Sequence, residues 1–125
     1  MNQSIIADKS FEFAKNIVYL YKKLTTNNKE FIMSRQILRS WTSIGANIKE
    51  TLRGQSKRDF LAKMYISIKE TDETEYWIKL LTETGYINTE EGKKLLKDCQ
   101  EISKILNAII KTTKNNLNKG KSSKW

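Results

Sequence analysis

No proline interrupts this chain, and its five glycines stand at positions 45, 54, 85, 92 and 120. Sheets that close into sandwiches or barrels need many tight turns, and those turns draw on both residues. Between the breakers, apolar residues recur three and four apart, the spacing that lays one face of a helix against a core. The chain therefore reads as all-α. At 125 residues it has the size of one domain and can bury a core without metals or disulfides. A hydrophobic fraction of 38% beside a charged fraction of 30% suits a bundle in which each helix keeps one side in water.

Periodicity and end signals divide the chain into four helices. The first covers about residues 8–24, with Phe11, Ala14, Ile17, Val18, Tyr21 and Leu24 as its apolar stripe. The run Thr25-Thr26-Asn27-Asn28 breaks it, because Asn and Thr compete for backbone hydrogen bonds. Asn27 with Glu30 forms a capping signal for a second helix over 29–52, whose core face is Ile37, Trp41, Ile44, Ile48 and Leu52. Gly54-Gln55 ends it. Ser56 with Asp59 opens a third helix, which Gly85 closes, with Tyr86 and Ile87 packing the corner. Phe60, Met64, Ile68 and Ile78 form its core stripe, and Thr71 and Glu75 fall on the same side. Asn88 with Glu91 caps a fourth helix that ends near Lys114 and carries Leu95, Cys99, Ile102, Leu106, Ile109 and Ile110 on one face. Short connections imply an antiparallel up-down-up-down four-helix bundle over residues 1–114. Residues 115–125 are polar and lysine-rich and read as a basic flexible tail.

The residue inventory argues against an enzyme. Histidine is absent and Cys99 is the single cysteine. This removes the commonest general base and metal ligand, any Cys-His nucleophile, and any intramolecular disulfide. There is no phosphate-cradling glycine loop, dinucleotide fingerprint or zinc spacing. The densest carboxylate group, Glu70, Asp72, Glu73 and Glu75, lacks the loop and glycine turn of a calcium site. No catalytic residues, metal or cofactor are expected. The N-terminus lacks the layout of a signal peptide, and no apolar run approaches the ~20 residues that span a bilayer. A cytoplasmic protein without a membrane partner is expected.

Charge is distributed unevenly within a net +9. Residues 1–68 carry a net +7, residues 69–101 a net −4, and residues 102–125 six lysines with no acid. On the second helix Arg35, Arg39, Lys49 and Arg53 lie opposite the core stripe over ~27 Å, and Lys57 and Arg58 extend that row at the corner. On the fourth, Lys93, Lys97, Lys104 and Lys111 line up opposite the apolar face. Either stripe alone fits a solvated face; two stripes and a basic tail together point to a polyanion. These residues are the candidate phosphate contacts, for RNA more than DNA. No base-reading motif accompanies them. The alternative is a protein-interaction scaffold whose basic surface docks an acidic partner.

Two further expectations concern assembly. Gln36, Ser40, Ser43 and Asn47 form a polar seam beside the core stripe of the second helix, and Glu75 is expected to find its donors there, Asn47 or Ser43 first. Ile66, Trp77 and Leu81 form a second apolar patch on the third helix, read in part as a subunit interface.

Several of these elements, in this order and spacing, resemble a known family. They are Arg39-Ser40, Ser43-Ile44, Asn47-Ile48, Glu50, Ser56 with Phe60, Glu75, and Gly85-Tyr86-Ile87. Over about residues 8–114 they look like the small four-helix-bundle proteins encoded in intervening sequences of bacterial 23S rRNA genes. The accessory variability determinant of diversity-generating retroelements is similar. The chain departs from the usual pattern at Gly45, where many members have proline, at Thr51, where many have glycine, and in a first loop without proline. The resemblance implies an up-down-up-down bundle that assembles into a homopentameric ring, and it implies no particular activity. In the retroelement member, such a ring engages a reverse transcriptase and nucleic acid.

Overall fold

The structure is a computed structural model that describes residues 2–51 and 56–122. Its elements are α1 (Asn2–Thr26), α2 (Met33–Thr51), α3 (Lys57–Glu83) and α4 (Thr89–Ser122), with no strand among the described residues. Each helix packs on its neighbours around a square: α1 on α2, α2 on α3, α3 on α4 and α4 on α1, while the diagonal pairs do not touch. Cross-helix pairs run in opposite senses, as Lys9 with Glu101 and Lys23 with Glu91, or Arg39 with Glu73 and Glu50 with Lys63. The fold is the expected antiparallel up-down-up-down bundle.

The core centres on Trp41, fully buried on α2. Its indole N–H donates to the Ser10 carbonyl at 3.0 Å, and the Phe13 ring meets it edge-on at 4.3 Å between centroids. The indole thus buries its large apolar area with its one donor satisfied. Ile6, Ile17, Leu24, Ile37, Ile44, Ile48, Met64, Ile78, Leu81, Ile87 and Leu106 are also fully buried.

The buried face of α1 corrects the sequence expectation. It reads Ile6, Ser10, Phe13, Ile17, Leu20 and Leu24, alternating steps of four and three, while Phe11 is 66% exposed. Ser10 hides the true phase from a search for apolar periodicity. Its hydroxyl donates to the Ala7 carbonyl at 3.0 Å, so it enters the core without an unmet polar group. The middle of α3 does the same: Ser67, Thr71 and Thr74 are buried, with hydroxyls donating to carbonyls one turn back at 3.0, 2.7 and 2.9 Å.

Helix ends follow local chemistry. The Ser56 side chain accepts from the Asp59 N–H at 3.2 Å and Asn88 accepts from Glu91 N–H at 2.8 Å, as the capping signals require. At the end of α3, Gly85 takes φ +86°, its N–H donates to the Thr82 carbonyl and the Tyr86 N–H to the Leu81 carbonyl. That pair of bonds is the left-handed glycine stop. Two boundaries differ from expectation. The α2 start moves from residue 29 to Met33 because Glu30, not Asn27, supplies the cap: its carboxylate accepts from the N–H groups of Ile32, Met33 and Ser34. Burial pushes the Glu30 carboxyl up, but those backbone donors outweigh it and hold it below the ordinary value. The fourth helix does not stop at Lys114 but continues to Ser122, through most of the segment read as a flexible tail. The expected stop at Gly54-Gln55, with Leu52 and Arg53, lies outside the described residues.

Candidate nucleic-acid interface

Because α2 and α4 occupy diagonal corners, their outward faces point to opposite sides of the bundle. The two basic stripes therefore do not form one track. Arg35 and Lys49 are exposed on α2, and Lys93, Lys97, Lys104 and Lys111 are exposed on α4. They approach each other only around one end of the molecule, where α2 finishes, α3 begins and α4 passes. Lys49, Lys57, Arg58, Lys111 and Lys114 gather there, all exposed. Lys57 and Arg58 stand in the first turn of α3, where free backbone N–H groups and the helix dipole already favour an anion. Two cations there repel the dipole in the free protein and reinforce it toward a phosphate. Arg35 and Lys93 sit toward the opposite end. Arg53 lies outside the described residues.

Arg39 has a different role. Its guanidinium pairs with Glu73, reaches Glu70 at 3.7 Å and donates from Nε to Gln36 Oε1 at 3.3 Å. Glu73 also accepts from the Trp77 indole at 3.1 Å. Glu70 Oε2 is buried with no hydrogen-bond partner among the described residues, so the nearby guanidinium is its compensation. Arg39 thus ties α2 to α3, and its charge is already spent on two carboxylates. The spacing of Glu70, Glu73 and Trp77 at three and four residues was the signal for this cluster. By contrast, among the described residues, none of Arg35, Lys49, Lys57, Arg58, Lys93, Lys97, Lys104 or Lys111 is in an ion pair. Lys97 and Lys104 flank Glu101, whose carboxyl Lys9 holds below its ordinary value through its hydrogen bond and its charge, with these two lysines adding to the effect.

The polar seam exists but holds another partner. Ser40 is buried, and its hydroxyl lies 2.8 Å from that of Thr74. Gln36 serves Arg39, while Ser43 and Asn47 are half-buried. Glu75 does not bond to this seam. It accepts from Gln100 Nε2 at 3.0 Å and lies 3.7 Å from Lys79 Nζ. One residue past Thr74 turns a side chain about 100° around the helix, enough to carry it from α2 to α4. The apolar patch on α3 also divides: Leu81 is fully buried, Trp77 is half-buried and only Ile66 is well exposed.

Nucleophilic chemistry finds little support at Cys99. Burial, and then the negative charges of Glu75, Asp72 and Asp98, push its thiol up to about 12, leaving it protonated at neutral pH. Among the described residues, no cluster of His, Cys, Asp or Glu is arranged to hold a metal ion, and no helix is long and apolar enough to cross a membrane.

Comparison with known proteins agrees with this architecture. Residues 2–108 match the model of the 23S rRNA-intervening sequence protein family. Among solved structures, the chain is similar to a protein of unknown function from the S23 ribosomal protein family of Bacteroides thetaiotaomicron, determined at 1.70 Å resolution. The two share 52% identity and superpose with a TM-score of 0.86, over 89% of this chain and 99% of the other. No functionally curated protein matches.

Proposed function

The chain belongs to the 23S rRNA-intervening sequence protein family, and from that premise we propose that it is a non-enzymatic protein that binds nucleic acid through phosphate contacts, RNA in preference to DNA. The observation that supports this reading is the placement toward one end of Lys49, Lys57, Arg58, Lys111 and Lys114, all exposed and none in an ion pair among the described residues. Bringing them together costs self-repulsion in the free protein, and a polyanion relieves it. RNA is favoured because the family takes its name from rRNA genes. Such binding releases counterions, so its affinity falls steeply with salt. Titration of a fluorescent RNA across salt is the test. Replacing Lys57 and Arg58 by Gln is expected to lower the slope of log affinity against log salt by about two, one for each phosphate contact. An affinity that stays flat with salt overturns phosphate tracking.

A second reading, a scaffold that docks an acidic protein surface such as that of a reverse transcriptase, draws on exposed apolar side chains. Phe31 is 52% and Ile32 is 76% exposed, held beyond the Glu30 cap. The same side chains, with Tyr65, Ile66 and Tyr76, support self-association, in five copies as the resemblance implies. The protein is proposed to act in the cytoplasm.

A further inference from the structure

Lys93, Lys97, Lys104 and Lys111 run along the outer side of α4, all exposed and none in an ion pair among the described residues. The neighbouring helix sets two aromatic rings beside that row. Tyr65 and Tyr76 on α3 are 44% and 57% exposed. Eleven residues separate them, roughly three helical turns, so both project from one face about 16 Å apart. An edge-on contact with Trp77, at 5.1 Å between centroids, steadies the Tyr76 ring.

Two contacts fix where that face lies. Gln100 Nε2 donates to Glu75 at 3.0 Å, and the Cys99 thiol lies 3.7 Å from the Thr71 carbonyl. Asp72, on the tyrosine stripe, is near enough for its charge to act on the Cys99 thiol. The stripe therefore borders α4, while Glu70 and Glu73 turn to Arg39 on α2. In an antiparallel pair, steps back along α3 are steps forward along α4. Tyr65, six residues before Thr71 and ten before Glu75, comes level with residues 105–110, between Lys104 and Lys111. Tyr76, five after Thr71 and one after Glu75, comes level with residues 94–99, beside Lys97. On α3 itself, Arg58 and Lys69 bracket Tyr65 at seven and four residues, both exposed. Between the two tyrosines the stripe carries one exposed acid, Asp72.

A row of cations can follow the phosphates of a duplex or of a single strand. Planar rings beside the row discriminate. Base faces in a duplex are covered by the next base pair, whereas a single strand offers them to aromatic side chains. The α3–α4 face has both parts of a single-strand platform, and it continues from the basic end of the bundle, since Arg58 and Lys111 belong to both.

We propose that the α3–α4 face binds single-stranded RNA, with Tyr65 and Tyr76 stacking on bases while Lys97, Lys104 and Lys111 contact phosphates. This assignment rests on the nucleic-acid reading and names the strand class and the surface that would serve it. Anisotropy titrations of the full chain with a labelled oligouridine and a labelled RNA hairpin test it. Circular dichroism melts check the folding of each variant, and sedimentation equilibrium its assembly. Tyr65→Ala and Tyr76→Ala are each expected to weaken oligouridine binding about fivefold or more. They should leave the slope of log affinity against log salt unchanged, because a stacked base releases no counterion. Tyr65→Phe keeps the ring and should bind as the wild type does. Hairpin binding should be indifferent to the tyrosines. Lys104→Gln and Lys111→Gln should each lower the oligouridine slope by about 0.7. Alanine variants that bind oligouridine as the wild type does, or that lose hairpin binding equally, overturn the stacking face and leave phosphate contacts standing. Alanine variants that change assembly together with binding place the tyrosines between copies of the chain and overturn it as well. A wild type that binds neither RNA removes both readings.

Discussion

The α2–α3 and α1–α4 seams join neighbouring antiparallel helices in the same bundle, yet they are built in opposite ways. Between α2 and α3, small hydroxyl residues let the backbones come close. Ser40 and Thr74 bond to each other inside the core, and Arg39 closes the rim over Glu70 and Glu73. Between α1 and α4, long charged side chains reach across a gap at Lys9–Glu101 and Lys23–Glu91, and those pairs are solvent-exposed. The first seam is specified by shape and satisfied polar groups. The second is held at its edges and left open along its length. A seam of the first kind serves stability, and one of the second kind adds less to it.

Overfilling the tight seam gives the largest effect expected. Ser40→Leu forces extra volume where Ser40 has no exposure, and it removes the hydroxyl that bonds to Thr74 Oγ1. A loss of about 3 kcal/mol is expected in urea unfolding; a loss under a third of that would mean the seam is loose after all. Next comes Arg39→Met, which keeps the aliphatic stem and leaves two carboxylates facing each other. Half-exposure of the guanidinium limits the penalty to about 1 kcal/mol, read in the same melts, and Glu73→Gln in the same background should return part of it. Least is expected at the open seam: Lys9→Ala and Lys23→Ala together should move stability by only about 0.5 kcal/mol. A larger change there would show that α1 depends on its charged staples, and would set the two seams level.

Local chemistry was legible in the sequence. Ser56, Asn88 and Gly85 mark helix ends through bonds to residues within five positions, and all three act as their types and spacing require. The four helices, their antiparallel order, the core residues of α4 and, on α2, Ile37, Trp41, Ile44 and Ile48 followed from periodicity. What failed was phase on α1 and in part of α3, where small polar residues enter the core. Ser10 disguised the buried face of α1, and Ser67 and Thr74 blurred that of α3, where Thr71 was rightly placed in the core, so Phe11 and Glu75 were turned inward and Leu81 outward.

The charged residues divide in the same way. Their identities and helical rows stand in the sequence, and so does the imbalance along the chain. Which of them keep free charge does not, because an ion pair depends on what a neighbouring helix presents. Only packing spent Arg39 on Glu70 and Glu73, set the α2 and α4 stripes on opposite sides, and gathered Lys49, Lys57, Arg58 and Lys111 at one end. Amino-acid order by itself determined the four helices, the ends marked by Ser56, Gly85 and Asn88, and the sign of each surface residue, since those rest on contacts within a turn or two. The tertiary structure decided which hydroxyls are buried and which cations stay out of ion pairs among the described residues, since those rest on the rotation of each helix against the next.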